Sequence, residues 1–305
     1  CPGQGLQDIS ILDRIRTSSQ FQEIMDLVDD IVGGDLVAKI EIGGQDFINQ
    51  NEIASMLTLL ASLVGFETLR DRGATFDFSA GYSVGQWCAM HFAGMLSLED
   101  LVGCVWKRAA IMNNERAAGG LMLSVIGLPL EVVATICLEA RADGDEVWIS
   151  NDNSVGQVTL SGAMEDVIAV EKRLAERKPQ RLVRVATSGA WHCPMLTEAA
   201  EQFAGYLETI EIKSPEIPVI SNVTGTFLPA DPGALKRQLV RQMDSPVLWR
   251  QGIKTLVSEG CDLFVEVGYG DMLTSFGFFI DRSVRHIAMD KLLVEENKTP
   301  LGQST

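Results

Sequence analysis

Histidine is scarce in this 305-residue chain, with three in all, and none is spaced like a metal-ligand pair. The six cysteines (Cys1, Cys88, Cys104, Cys137, Cys193 and Cys261) are scattered and form no C-x-x-C pair. Neither a zinc site nor a disulfide scaffold is expected, and the thiols point to a reducing, cytoplasmic setting. Positive charge is in deficit: 25 Lys plus Arg stand against 41 Asp plus Glu, a net −16. A general nucleic-acid binder needs a basic surface that displaces counterions, so that class is not expected. Any anionic substrate must be met by local arginines. No uninterrupted apolar run reaches the roughly 18 residues that span a bilayer, so no transmembrane helix is expected. Repeats, low-complexity tracts and a basic-then-apolar leader are all missing. The chain opens inside a Pro2-Gly3-Gln4-Gly5 loop, which predicts further residues upstream, a first strand among them.

What is present is a core-forming composition: 46% hydrophobic and 22% charged residues. Helical spacing over Glu52–Arg72 puts Ile53, Met56, Leu57, Leu60 and Leu63 on one face. A short strand over Ala74–Ala80 leads into Gly81-Tyr82-Ser83-Val84-Gly85 and a helix from Val84 to about Met95. Ser97, with Asp100 three residues on, opens a further helix to about Asn114. Between Leu121 and Ala186 the pattern is β-α-β-β-α-β, with Asn151-Asp152-Asn153-Ser154 as a turn between the middle strands. Strands at Pro218–Asn222, Leu263–Glu266 and Val284–Ala288 alternate with helices after it. These features predict an α/β protein whose larger part holds a mostly parallel sheet covered on both faces, spanning residues 1–118 and 188–305. A small split-βαβ subdomain, residues 119–187, is inserted into it.

The sharpest local signal is Gly81-Tyr82-Ser83-Val84-Gly85, because it follows a predicted strand and opens a helix. A tight strand-to-helix turn exposes the serine hydroxyl over a helix N-terminus. The Val84 backbone N–H can then donate to a developing oxyanion. Without that setting the same five residues could be a structural turn. A serine nucleophile needs a base, and three histidines compete. His91 lies about 12 Å along the elbow's own helix at 1.5 Å per residue. His286 sits in an apolar strand, as a structural histidine would. His192 lies in the loop 188–194 between the small subdomain and the next helix, where a cleft would form, and elimination favours it. By spacing alone, Arg108 is one more solvated cation beside Lys107, and Gly3-Gln4-Gly5 is a tight loop.

Together these pieces resemble the malonyl-CoA:acyl-carrier-protein transacylase family along nearly the whole chain. Pro2-Gly3-Gln4-Gly5-Leu6-Gln7 is similar to its P-G-Q-G-x-Q opening, and Gly81–Gln86 to its G-H-S-x-G-E elbow. Asn153-Ser154-Val155-Gly156-Gln157-Val158 is similar to its N-S-x-G-Q-V, and Ser188–His192 to the stretch ending in its histidine. Ser221–Gly225 and Glu266-Val267-Gly268 are further landmarks.

The resemblance implies an α/β-hydrolase-like body with a ferredoxin-like insertion and a ping-pong mechanism. Ser83 would be the nucleophile and His192 the base, with Gln4 and Val84 as the oxyanion hole. A backbone carbonyl at Gln242 would orient the histidine. Arg108 would bind the acyl carboxylate, and Trp191 and Tyr82 would line the substrate pocket, a bulky Trp191 favouring unbranched malonyl. Malonyl-CoA, or the thioester of a closely related dicarboxylic acyl group, would be the substrate, with no bound cofactor. The partner would be a phosphopantetheinylated acyl carrier protein, docking on a basic patch at Arg173, Arg177, Lys178 and Arg181 or at Lys236, Arg237 and Arg241. The enzyme would be a monomer with no nucleic-acid or membrane partner. Two departures stand out: Tyr82 replaces the family histidine and Gln86 its glutamate. Other readings to be separated are an editing thioesterase of the same fold, the transferase subunit of a malonate decarboxylase, a non-catalytic interaction protein and a generic esterase.

Overall fold

The computed structural model describes residues 1–298, except Leu6, Asp8, residues 17–20 and Glu115. Leu6 of the opening motif and residues 299–305 of the larger part therefore lie outside the described residues. The chain begins with four helices: α1 (Ser10–Ile15), α2 (Phe21–Val32), α3 (Leu36–Ile48) and α4 (Asn51–Asp71). The first three were not foreseen. Asp35 starts α3 by accepting from the Ala38 N–H at 2.8 Å, and α3 is broken by Gly44 at φ 60°.

The expected apolar face of α4 is there, but Ser55, Leu59 and Ser62 on its other sides are buried too. Thr58 and Ser62 return their hydroxyls to the carbonyls four residues back, which lets a helix with polar side chains sit inside the core. In length and composition α4 is apolar enough to cross a membrane, contrary to the expectation from uninterrupted runs. Most of it is instead covered by the protein, packed against α1, α5 (Gly85–Phe92) and α6 (Leu98–Met112). At the start of α6 the Ser97 hydroxyl accepts from the Asp100 N–H at 3.0 Å.

The next segment contains β1 (Leu121–Ile126), α7 (Leu130–Ala142), β2 (Val147–Ser154), β3 (Gln157–Gly162), α8 (Met164–Ala175) and β4 (Arg181–Arg184). The strands form one antiparallel sheet in the order β2-β3-β1-β4. Strand alternation divides its faces. Leu123, Val125, Val158 and Leu160 meet α7 and α8 in a core of their own, while Thr159 and Ser161 point the other way and are also buried. The turn expected at Asn151–Ser154 is a correction: this polar run is the buried end of β2, with two irregularities in register. Asn151, Asp152 and Asn153 each have a hydrogen-bond partner inside, so they can be buried in a strand.

After a 3₁₀ turn at Pro194–Leu196 come α9 (Thr197–Leu207), α10 (Pro232–Arg241) and α11 (Trp249–Ser258). They are followed by β5 (Leu263–Glu266), α12 (Met272–Ile280), β6 (Arg285–Ala288) and α13 (Met289–Lys298). The mostly parallel sheet is corrected by this arrangement: four of the six strands among the described residues are antiparallel, and only β5 and β6 form a parallel pair. The segments 74–80 and 218–222 meet through a single parallel bridge, Ser79 to Val219. One bridge aligns two extended segments without building a ladder. The larger core joins α2 to α6 with α9, and a third cluster gathers Tyr82, Val247, Trp249 and Phe276.

Candidate active site

The elbow is forced by its glycines. A Cβ on Gly81 would lie 1.9 Å from the Gly85 carbonyl oxygen, and one on Gly85 would lie 2.4 Å from that of Pro2. The opening loop therefore lies directly on the turn. Ser83, between them, is held at φ 55°, in the left-handed region that a non-glycine residue enters only under constraint. The constraint is visible. Asn222 Oδ1 accepts from the Ser83 N–H at 2.8 Å, and its Nδ2 donates to the Gly81 carbonyl at 2.7 Å. Gln242 Nε2 donates to the Ser83 carbonyl at 2.7 Å. Gln86 Oε1 accepts from the Asn222 N–H at 2.6 Å, so the residue that departs from the family glutamate here holds the clamp.

His192, also left-handed at φ 59°, brings Nε2 to 2.6 Å from Ser83 Oγ. Its Nδ1 is 2.9 Å from the Gln242 carbonyl oxygen. A carbonyl can only accept, so Nδ1 carries the proton and the Nε2 lone pair faces the serine hydroxyl. The imidazole is buried. That burial first, and the nearby Arg108 charge second, hold its pKa down from 6.5 to about 3, so the ring is neutral at pH 7. Of the other histidines, His91 Nδ1 faces the Leu96 carbonyl and His286 Nε2 the Asp281 carbonyl, away from Ser83.

Among the described residues, the backbone N–H groups of Val84 and Gln4 donate to no protein acceptor. The Gln4 side chain is anchored away from that backbone: its Nε2 donates to the Asn51 carbonyl at 3.1 Å, Asn51 Oδ1 at 2.9 Å and Ser55 Oγ at 2.5 Å. Asn51 Nδ2 in turn donates to the Ala109 carbonyl at 2.8 Å, on the turn of α6 that carries Arg108. One asparagine thus ties the opening loop to α6.

Arg108 is not a solvated cation. It lies on the inner face of α6 at 1% exposure, and among the described residues its Nε and Nη2 groups have no hydrogen-bond partner. Burial lowers its pKa to about 10, which leaves it charged at pH 7. A buried guanidinium with open donors is a receptor for an anion, a carboxylate above all, because a fork of two N–H groups matches two oxygens.

Trp191 is buried in the larger core, its ring folded over Gly189, where a Cβ would meet its Cη2 at 2.6 Å. Tyr82, expected at the substrate pocket, has its ring in the third cluster, edge-on to Trp249 with centroids 5.7 Å apart. Its hydroxyl donates to Asn153 Oδ1 at 2.6 Å. Asn222, Gln86, Asn51 and Ser55 were missed as parts of the site. The signal for Asn222 was an amide inside the Ser221–Gly225 landmark, and for Asn51 and Ser55 small polar residues on an otherwise apolar helix.

The chain as a whole has counterparts. A family model described as acyl transferase domain matches residues 6–277. The malonyl CoA-acyl carrier protein transacylase of Bacillus subtilis strain 168 is 29% identical over 290 residues, covering 94% of this chain and 91% of that protein. The crystal structure of an acyl-carrier-protein S-malonyltransferase from Burkholderia pseudomallei 1710b superposes with a TM-score of 0.89 at 27% identity, covering 96% of this chain and 97% of that one. A malonyl-transacylase solved in complex with its holo type II PKS acyl carrier protein gives a TM-score of 0.88 at 28% identity, covering 94% and 93%.

Proposed function

Because this chain belongs to the acyl transferase domain family, we propose that it moves a malonyl group from coenzyme A to the phosphopantetheine thiol of an acyl carrier protein, through an ester on Ser83. The observation that carries this reading is the chain of contacts from Ser83 Oγ to His192 Nε2 at 2.6 Å and from His192 Nδ1 to the Gln242 carbonyl at 2.9 Å.

In the first half-reaction, His192 Nε2 takes the hydroxyl proton as Ser83 Oγ attacks the thioester carbonyl carbon. The oxyanion is received by the open N–H groups of Val84 and Gln4, with the N-terminus of α5 beneath. Collapse breaks the C–S bond, and the imidazolium returns its proton to the coenzyme A sulfur. The second half-reaction repeats these steps with the carrier thiol as attacking group and Ser83 as leaving group. A neutral, tautomer-fixed imidazole serves both halves.

Arg108 receives the malonyl carboxylate. Without a paired cation, burying that carboxylate at this depth would be prohibitive, so an acyl group lacking it gains nothing here. Trp191, adjacent to the base and buried, limits the acyl group to an unbranched one. Carrier docking is assigned to the exposed cluster Arg177, Lys178 and Arg181, which has no ion-pair partner among the described residues. In the other cluster, Lys236 and Arg237 are engaged with Glu208 and Asp231, and Arg241 donates to the Ser245 hydroxyl at 3.3 Å.

We read residues 119–187 as a ferredoxin-like subdomain inserted into an α/β-hydrolase-like body formed by residues 1–118 and 188–305. Its separate core and β2-β3-β1-β4 order support that division. We take the enzyme to act as a monomer in the cytoplasm, a compartment that six free thiols suit.

The test is turnover of malonyl-CoA with and without a holo carrier protein. Transfer predicts rapid release of coenzyme A equal to the enzyme present, then turnover only when carrier is added. Rapid continued hydrolysis without carrier would make the protein an editing thioesterase instead.

A further inference from the structure

Tyr82 is chemically out of place as a residue that only packs. It sits immediately before the proposed nucleophile, in a buried cluster, with a phenol whose pKa is raised by burial. Its hydroxyl reaches across 71 residues of sequence to Asn153 Oδ1 at 2.6 Å. Asn153 is held in turn, its Nδ2 donating to Thr159 Oγ1 at 3.0 Å. Thr159 lies on the face of β3 opposite the small unit's own core. A buried hydrogen-bonded chain therefore runs from the elbow, through β2, to β3.

The same tyrosine supports the other side of the site. A Cβ on Gly3 would lie 2.8 Å from Tyr82 Cδ1 and from the Tyr82 carbonyl oxygen, so the opening loop rests on this residue. Gln4, with its open N–H, is the next residue in that loop. Ser83 is clamped by Asn222 and Gln242, both from the large unit. Tyr82 is the elbow residue tied to the small sheet. Other links between the units bypass the elbow: Asp152 pairs with Arg250 at 2.9 Å, and Val247 bridges β2 through Ser150 and Asp152.

The geometry points to Tyr82 as a positioning residue for acyl transfer: through its bond to Asn153 it registers Ser83 and the Gln4 loop against the small sheet. This deepens the function proposed above and rests on it. A buried hydroxyl–amide bond holding the residue next to the left-handed Ser83 helps set where Oγ stands relative to His192 Nε2 and the two amides. An error of that kind appears in the rate of acylation rather than in the affinity for the thioester.

The experiment compares Tyr82→Phe, Asn153→Ala and the double variant with the unaltered enzyme by rapid-quench acylation with malonyl-CoA, with thermal unfolding measured alongside. Tyr82→Phe keeps the ring that carries the packing. It should slow acylation roughly tenfold with KM for malonyl-CoA unchanged, the scale of one buried hydrogen bond converted to rate. The double variant should be no slower than the slower single variant, since both remove one interaction. Unchanged acylation in Tyr82→Phe, or losses that multiply in the double variant, would overturn the inference. So would a loss confined to KM. If Tyr82→Phe does not fold, Asn153→Ala carries the test with the same thresholds. Failure of the unaltered enzyme to acylate at all would sink the proposed function itself, whereas normal acylation with an indifferent Tyr82→Phe would sink only this inference.

Discussion

Arg108 helps to set the behaviour of His192. The imidazole is neutral because it is buried and because an unneutralised guanidinium lies near it. Its pKa falls on folding from 6.5 to about 3, so the native state binds fewer protons than the unfolded chain between those values. The resulting stability is complete above pH 6.5 and is lost as pH falls toward 3. The same shift predicts that kcat/KM for malonyl-CoA has no histidine limb between pH 5 and 8. A profile falling with a midpoint near 6.5 would contradict it. Arg108→Gln removes the second cause, so the acid limb should move upward while malonyl loading falls by roughly 10²-fold, the worth of a charge-assisted pair. The serine and the histidine were legible because one lies in a five-residue signature and the other is one of three candidates. The amide clamp was not, since Asn222 and Gln242 are 139 and 159 residues from Ser83 and their roles depend on which atom faces it.

At the level of elements, periodicity worked where apolar residues alternate with residues of the other face, even when both faces are buried, and failed where a buried run is wholly polar. The β-α-β-β-α-β order was readable because Leu123, Val125, Val158 and Leu160 alternate with residues of the opposite face. Asn151–Ser154 looked like a turn because polar runs are usually solvated. Partners contributed by Arg250, Tyr82 and Thr159 reverse that rule. The single-bridge pairing at Ser79 has no comparable pattern, whereas α2 carries one that went unread, with Ile24, Met25 and Val28 buried at helical spacing. Glycines give the sharpest element-scale test. Gly81→Ala would drive a Cβ into backbone at 1.9 Å, so the elbow cannot keep its shape. Loss of Ser83 reactivity and a large fall in melting temperature are expected. Gly205, exposed in α9 with nothing within 4 Å of a built Cβ, is the matched control. Gly205→Ala should raise stability by about 0.5–1 kcal/mol in urea titration, because alanine loses less backbone entropy in a helix. Equal destabilisation by both changes would refute the steric reading of the elbow.

Over the whole molecule, the residues of the proposed site all lie outside the four-stranded antiparallel sheet. Ser83, His192, Arg108 and the amide clamp come before or after that sheet, which meets the rest of the chain through a polar, buried face and the Asp152–Arg250 pair. The net charge of −16 makes any unpaired cationic cluster conspicuous to an anionic partner. Arg177→Glu combined with Arg181→Glu should raise KM for the carrier about tenfold at low salt and leave Ser83 acylation unchanged. The same reversal at Lys236 and Arg237 should have little effect, and the opposite ranking would move the docking surface there. The account as a whole is tested most directly by intact mass after incubation with malonyl-, methylmalonyl- and acetyl-CoA. It predicts one malonyl adduct on the unaltered protein, little from the other two, and none on Ser83→Ala. A malonyl adduct that survives in Ser83→Ala, or acetyl loading as complete as malonyl, would contradict it.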